Sequence, residues 1–206
     1  MKKKLLIIGA SGHGKVVADI ALQMRKWQSI VFLDDNEDIK TVMGLDVVGK
    51  STDASNYIQD HDIFIAIGNN AVRENIHRKL REEGASIPTL IHPNAIIGER
   101  VNLAFGTVIM AGVVINCCTT IGEGCIINTG STIDHDNIIE DFAHISPGVH
   151  LAGTVKIGQG SWLGTGCIVG NNVSIVGDCI LGAGAVVIKD VDQPGTYVGV
   201  PVRRIS

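Results

Sequence analysis

The stretch Thr132-Ile133-Asp134-His135-Asp136-Asn137 sets an imidazole between two carboxylates. A carboxylate bonded to one ring nitrogen fixes the tautomer and raises the pKa, leaving the other nitrogen to take up a proton. His135 with Asp136 is therefore a candidate general base; the alternative is a solvated histidine at a chain corner. His144 and His150 follow it closely, and Asn128 precedes it. A second group lies near the N-terminus, where Gly9-Ala10-Ser11-Gly12-His13-Gly14 joins an apolar run to a helical pattern. Glycines at such a turn let an anion approach the free N–H groups of a helix N-terminus. The spacing is GxxGxG, not the GxGxxG of dinucleotide sites, so NAD fits less well. Asp34, about twenty residues past the turn, can accept from ribose or base donors. Gly68-Asn69-Asn70 ends a further strand on the same crevice. Together these suggest a nucleotide or nucleotide-sugar pocket; the alternative is a tight turn with solvated strand ends.

A repeat must position the first group. Every sixth residue from Ile91 to Val187 is a branched aliphatic, through Ile97, Leu103, Ile109, Ile115, Ile121, Ile127 and Ile133 and onward. Neither the 3.6-residue helix period nor the two-residue strand period gives this pattern. Period six means short strands joined by regular corners, wound as a parallel β-helix with the aliphatics inside. Three hexads make one coil of roughly 18 residues, and residues 97–192 make about five coils rising roughly 25 Å. One coil on from His135 comes Gly153, whose N–H is expected to be available to an oxyanion. Cys117 and Cys118 would need a stacked histidine to act as nucleophiles, and none is expected at their register.

The first 90 residues alternate strands and helices, which implies a small parallel sheet of doubly wound type. Expected strands cover Lys4 to Gly9, Ile30 to Leu33, Ile63 to Ile67 and Thr89 to Ile91. One helix should bury Val16, Val17, Ile20, Ala21 and Met24; a second, over 71–83, should bury Val72, Ile76 and Leu80. The expected domains are thus 1–90, Rossmann-like and nucleotide-sugar-binding, and 91–206, a β-helix with a C-terminal tail.

Composition narrows the function. A net charge of -4 leaves no broad basic face for nucleic acid. Aromatics are 4% and glycines number 25, which favours short strands and turns over a helical bundle. Met1-Lys2-Lys3-Lys4 with Leu5 to Ile8 resembles a signal-peptide start, but the run stops at Gly9. No apolar stretch approaches the roughly 18 residues of a membrane span. A cytoplasmic protein is expected. Five cysteines without a CxxC pair read as buried free thiols, not as disulfides or a metal site.

The stretches GASGHGKVV, FLDD, FIAIGNN, INTGSTIDHD, FAHISPG, LAGTVKIG and GVPVRRI resemble a family of bacterial sugar acetyltransferases over almost the whole chain. The family joins a nucleotide-sugar domain to a left-handed parallel β-helix. It includes UDP-4-amino-sugar N-acetyltransferases of bacillosamine and perosamine pathways, and sialic-acid O-acetyltransferases; the bacillosamine type is the best match. The resemblance implies His135 as general base, Asp136 as its partner, and Asn128 and His144 lining the acceptor and the thioester. It implies that Gly153, Thr165 and Ala183, with His144, meet acetyl-CoA, and that Ser11, Gly12, His13, Asp34, Asp35 and Gly68 meet the UDP-sugar. The tail Gly199-Val200-Pro201 matches a segment near CoA, with Val202 in place of the usual Ala. It further implies direct acetyl transfer to the 4-amino group of a UDP-4-amino-4,6-dideoxy sugar, no metal, and a homotrimer with sites between prisms. Asp136 departs from the pattern, since the best-known bacillosamine enzymes have Glu there. That leaves two other readings: a sugar O-acetyltransferase with the same base, and a non-catalytic nucleotide-sugar-binding scaffold.

Overall fold

The computed structural model describes residues 2–206; Met1, the first residue of the signal-like stretch, lies outside them. The chain divides into two compact units, the second being Asn94–Ser206.

In the first unit, β1 (Lys4–Ile8) leads through α1 (Gly12–Met24) to β2 (Ser29–Leu33). A hairpin of β3 (Thr41–Val42) and β4 (Leu45–Asp46) follows, then a short 3-10 turn over Ser51–Tyr57, β5 (His61–Ile65) and α2 (Asn70–Glu82). The hairpin and the 3-10 turn are absent from the sequence reading. The three long strands form a parallel sheet in the order β2-β1-β5, with Lys4 opposite Ser29 and His61. β1 is buried on both faces after Lys4, which is why it reads as an unbroken apolar run. The β1–α1 turn depends on two glycines. Gly9 has φ 102°, and a Cβ on Gly14 would stand 1.9 Å from the Gly9 carbonyl oxygen.

Most expected inward positions hold, since Val17, Ile20, Ala21 and Leu80 are buried and Ile76 packs on the core, but Val16, Met24 and Val72 depart. α1 buries Gly14, Val17, Ala18, Ile20 and Ala21, and leaves Val16 exposed and Met24 half-buried. α2 buries Arg73, His77 and Leu80, while Val72 is 44% exposed. The reason lies at its start. Asn69 caps the helix by accepting from the Val72 N–H at 3.0 Å, and Arg73 turns inward to donate to the carbonyls of Ile67 and Gly68 at 3.0 and 3.2 Å. A buried guanidinium is tolerated when its N–H groups are occupied in this way.

The second unit is a parallel β-helix of mostly two-residue strands. One face stacks Ile96–Ile97, Val114–Ile115, Thr132–Ile133, His150–Leu151, Ile168–Val169 and Val186–Val187, which is one level more than the sequence reading counted. The second face holds Asn102–Leu103, Thr120–Ile121, Ile138–Ile139, Lys156–Ile157 and Ser174–Ile175. The third includes Val108–Ile109, Ile126–Ile127, His144–Ile145, Trp162–Leu163 and Cys179–Leu181. The ladders between these strands have an 18-residue register, for example Thr132 opposite His150. From Ile109 to Val187 each sixth residue is at most 2% exposed. At the corner between the first and second faces, Arg100, Cys118, Asp136, Thr154 and Asn172 stack with φ between 55° and 62°. Cys125, Cys167 and Cys179 are buried free thiols, as expected; Cys117 and Cys118 are exposed instead. No helix among the described residues is long and apolar enough to cross a membrane.

Candidate active site

His135 stands on the corner between the first and second faces. Its Nδ1 lies 2.7 Å from Asp136 Oδ2, and since a carboxylate only accepts, Nδ1 carries the proton and Nε2 presents a lone pair. The left-handed backbone of Asp136 folds the carboxylate back onto its neighbour's ring. This hydrogen bond, and the Asp134 charge beyond it, raise the His135 pKa. Asp134 Oδ1 accepts from the His135 N–H at 2.9 Å and from Asn116 Nδ2 at 2.8 Å, which holds the Asp134 carboxyl below its usual range. The ring leans over Gly153: a Cβ there would be 2.6 Å from Nε2. Gly153 thus makes room for the base, but its N–H does not stand free for an oxyanion. It donates to Asn171 Oδ1 at 3.1 Å, a bond that the coil arithmetic could not show.

The same arithmetic, applied backward, corrects a premise of the cysteine reading, since a histidine does fall at their register. Cys117 is one coil before His135, and its carbonyl accepts from the Asp136 N–H at 3.2 Å. Burial, then Cys117 and Asp136, raise the Cys118 pKa, which opposes a thiolate nucleophile.

Asn128 and His144 meet elsewhere. Asn128 Nδ2 is 3.3 Å from His144 Nε2, and His144 stacks on Trp162 with centroids 5.8 Å apart and planes 5° from parallel. Trp162 Nε1 donates to Ser146 Oγ at 2.9 Å. His144 lies on the third face, and Asn128 with the stacked Thr165 and Ala183 on the corner from the third face to the first. That corner is one face away from His135 and Gly153, up to roughly 20 Å for a hexad of extended chain. The two groups thus occupy different corners of the coil. His150, on the first face, bonds Thr132 Oγ1 at 2.8 Å and joins neither.

In the α/β unit a cavity of about 210 Å³ is lined by Gly9, Ser11, Asp34, Asp35, Ser51 and Gly68, among others. It gathers four of the six residues expected at a nucleotide-sugar site. Gly12 and His13 are not in its lining. Gly12 and Gly68 have no atom within 4 Å of a virtual Cβ, so the fold itself leaves open space at both. The carboxylates already have partners. Asp34 Oδ2 accepts from the Ala10 N–H at 2.7 Å, and Asp35 Oδ1 accepts from the Ser51 N–H and hydroxyl at 2.9 and 2.7 Å. The Ser51 bonds lower the Asp35 pKa. His13 has a pKa lowered to about 4 by burial and by Arg73, so its ring is neutral.

Residues 4–80 match the family model of the PglD N-terminal domain. The acetyltransferase domain of PglB from Neisseria gonorrhoeae FA1090, solved in complex with acetyl coenzyme A, superposes with a TM-score of 0.96 at 37% identity, covering 100% of both chains. The chain belongs to the PglD-like sugar N-acetyltransferases. A second solved member, PerB from Caulobacter crescentus in complex with CoA and GDP-perosamine, matches at TM-score 0.91 and 36% identity over 98% of this chain and 97% of its own. The UDP-N-acetylbacillosamine N-acetyltransferase of Bacillus subtilis (strain 168) is 37% identical over 118 residues, 53% of this chain and 52% of its own. In the Caulobacter crescentus relative the perosamine sugar is thus carried on GDP, not on the UDP expected for its pathway.

Within this acetyltransferase, sequence reasoning missed Asn116, Trp162, Asn171, Ser51 and Arg73. Three were within reach of an 18-residue step: Asn116 from Asp134, Trp162 from His144, Asn171 from Gly153. Ser51 and Arg73 follow no period, and only the folded α/β unit brings them to the crevice loops.

Proposed function

We propose that this chain transfers the acetyl group of acetyl-CoA to the 4-amino group of a nucleotide-linked 4-amino-4,6-dideoxy sugar, with UDP as the favoured carrier. The observation that carries the reading is the 2.7 Å His135–Asp136 pair with Nε2 turned outward over Gly153. The neutral amine attacks the thioester carbonyl, His135 Nε2 takes the proton the nitrogen sheds, and the CoA thiolate leaves. Asp136 stabilises the imidazolium that forms. Positioning of both substrates supplies much of the rate. Thr165, Ala183 and His144 hold the CoA arm, and Asn128 orients His144. The α/β cavity receives the nucleotide, its phosphates meeting the open ground at Gly12 near the start of α1.

The separation of the His135 corner from the Asn128–Thr165–Ala183 corner supports a homotrimer, in which each site takes one corner from each of two neighbours. A second nucleotide is favoured by a specific likeness: the perosamine enzyme matches over nearly the full chain. Thiol release from acetyl-CoA, measured with UDP- and GDP-4-amino sugars and with sialic acid, tests the reading. Turnover with the UDP-amino sugar is expected. Preference for the GDP sugar corrects the carrier, preference for a hydroxyl acceptor overturns N-transfer, and no turnover at all leaves a binding scaffold.

A further inference from the structure

The inner residue of each corner, four places after the inward aliphatic, is a small or apolar side chain or a hydroxyl at every level but one. The exception is Asn137, directly behind His135. It is fully buried, and its amide is fully engaged. Nδ2 donates to the carbonyls of Asp134 at 2.7 Å, Ala152 at 3.0 Å and His135 at 3.3 Å, while Oδ1 accepts from the Val155 N–H at 3.2 Å. From the coil before, Thr119 Oγ1 donates to the same Asp134 carbonyl at 2.9 Å and accepts from the Asn137 N–H at 3.3 Å. At other corners Ser161 Oγ donates to the Val176 carbonyl at 3.1 Å, and Cys125 Sγ reaches the non-consecutive Glu123 and Glu140 carbonyls at 3.8 and 3.2 Å. Here two consecutive carbonyls, those flanking the His135 side chain in the backbone, are tied down from within. They precede the left-handed Asp136, whose conformation aims its carboxylate at the ring.

We propose that Asn137 is a positioning residue for the base: from inside the coil it fixes the corner backbone that turns the Asp136 carboxylate onto the His135 imidazole. This rests on the reading of His135 as the base. The groups that face the imidazole are few. Asp134 and Asp136 share its corner, Cys117 and Cys118 come from the coil before with Glu99 and Arg100 beyond them, and the coil after presents Gly153 and Thr154, which do not ionise. A change in the His135 titration therefore reports chiefly on the Asp136 contact.

The test is the NMR titration of His135 in the intact protein, alongside kcat and KM for acetyl-CoA. Asn137→Ala should bring the His135 pKa down toward that of a free histidine and lower kcat about tenfold, with KM for acetyl-CoA unchanged. Ser161→Ala, the same inner position at another corner, should lower the melting temperature while leaving the titration and kcat as they are. An Asn137→Ala protein that melts early but titrates and turns over like the parent overturns the proposal. Should Asn137→Ala not fold, Thr119→Ala removes one brace only; a smaller downward shift supports the proposal and an unchanged titration overturns it. The base reading fails separately: turnover surviving in His135→Asn would end it, while the titration would still report what Asn137 does to the corner.

Discussion

Gly14 and Gly153 both sit where a Cβ has no room, and the obstacle differs. At Gly14 it is backbone, the Gly9 carbonyl oxygen at 1.9 Å. At Gly153 it is the end of a side chain, the His135 imidazole at 2.6 Å. The α/β unit uses glycine to bring its first strand and helix together, so the residue serves the fold. In the β-helix Gly98, Gly122, Gly158 and Gly164 are likewise hemmed in by the backbone of the next coil, but at Gly153 the obstacle is the imidazole alone, so that glycine serves the side chain that needs the space. The first unit makes its site from tightly packed backbone, and the second makes its site from an exception to a repeat.

Substitution at these two positions tests that contrast most strongly. Gly14→Val should cost about 4 kcal/mol or more, visible as loss of the cooperative thermal transition by circular dichroism. Gly153→Ala should melt close to the parent and lose about a hundredfold in kcat as the imidazole is displaced. Equal melting losses in the two variants would erase the distinction.

A smaller effect belongs to the α/β unit alone. The His13 pKa is lowered from 6.5 to about 4 in the folded chain, so between those values the unfolded chain binds more protons. Stability is full above pH 6.5 and falls as pH drops through the window, by about 3 kcal/mol at its foot. His13→Asn should flatten this dependence in urea midpoints measured from pH 7 to 4; an unchanged slope assigns it to other groups.

At the β-helix corner the pH effect is kinetic and has the opposite origin. The Asp136 hydrogen bond holds the His135 proton on, so the base is lost as pH falls through a raised pKa. Asp136→Asn should move the acid limb of the kcat/KM profile to lower pH and reduce kcat about tenfold. A limb that stays in place takes Asp136 out of the pair.

These differences also explain what the sequence made legible. An 18-residue period turns position into neighbourhood, so the stacking of Gly153 on His135 could be read from the chain alone. The same period led to a wrong expectation where it was not followed backward, since Cys117 lies one coil before His135. It could not reveal that Asn171 takes the Gly153 N–H, because which polar atom wins a donor depends on side-chain rotamers. In the α/β unit the strands were legible from apolar runs, and Ile76 and Leu80 of α2 likewise, but the inward turn of Arg73 in place of Val72 was not. Arg73 turns inward only because loop carbonyls await it, and hydropathy places an arginine outside. Asp34 and Asp35 were found by position at the strand end; their partners Ala10 and Ser51 come from separate segments that only the fold brings there.

In the proposed trimer the base at one corner works with groups at another corner, supplied by a neighbouring copy. Complementation measures this directly. His135→Asn and His144→Ala chains, each first assayed alone for background thiol release, are unfolded, mixed in equal amounts and refolded together. Random assembly places an intact His135 beside an intact His144 of the neighbour in roughly a quarter of sites, so activity near a quarter of the parent is predicted. Activity no higher than that of the two variants alone would contradict it.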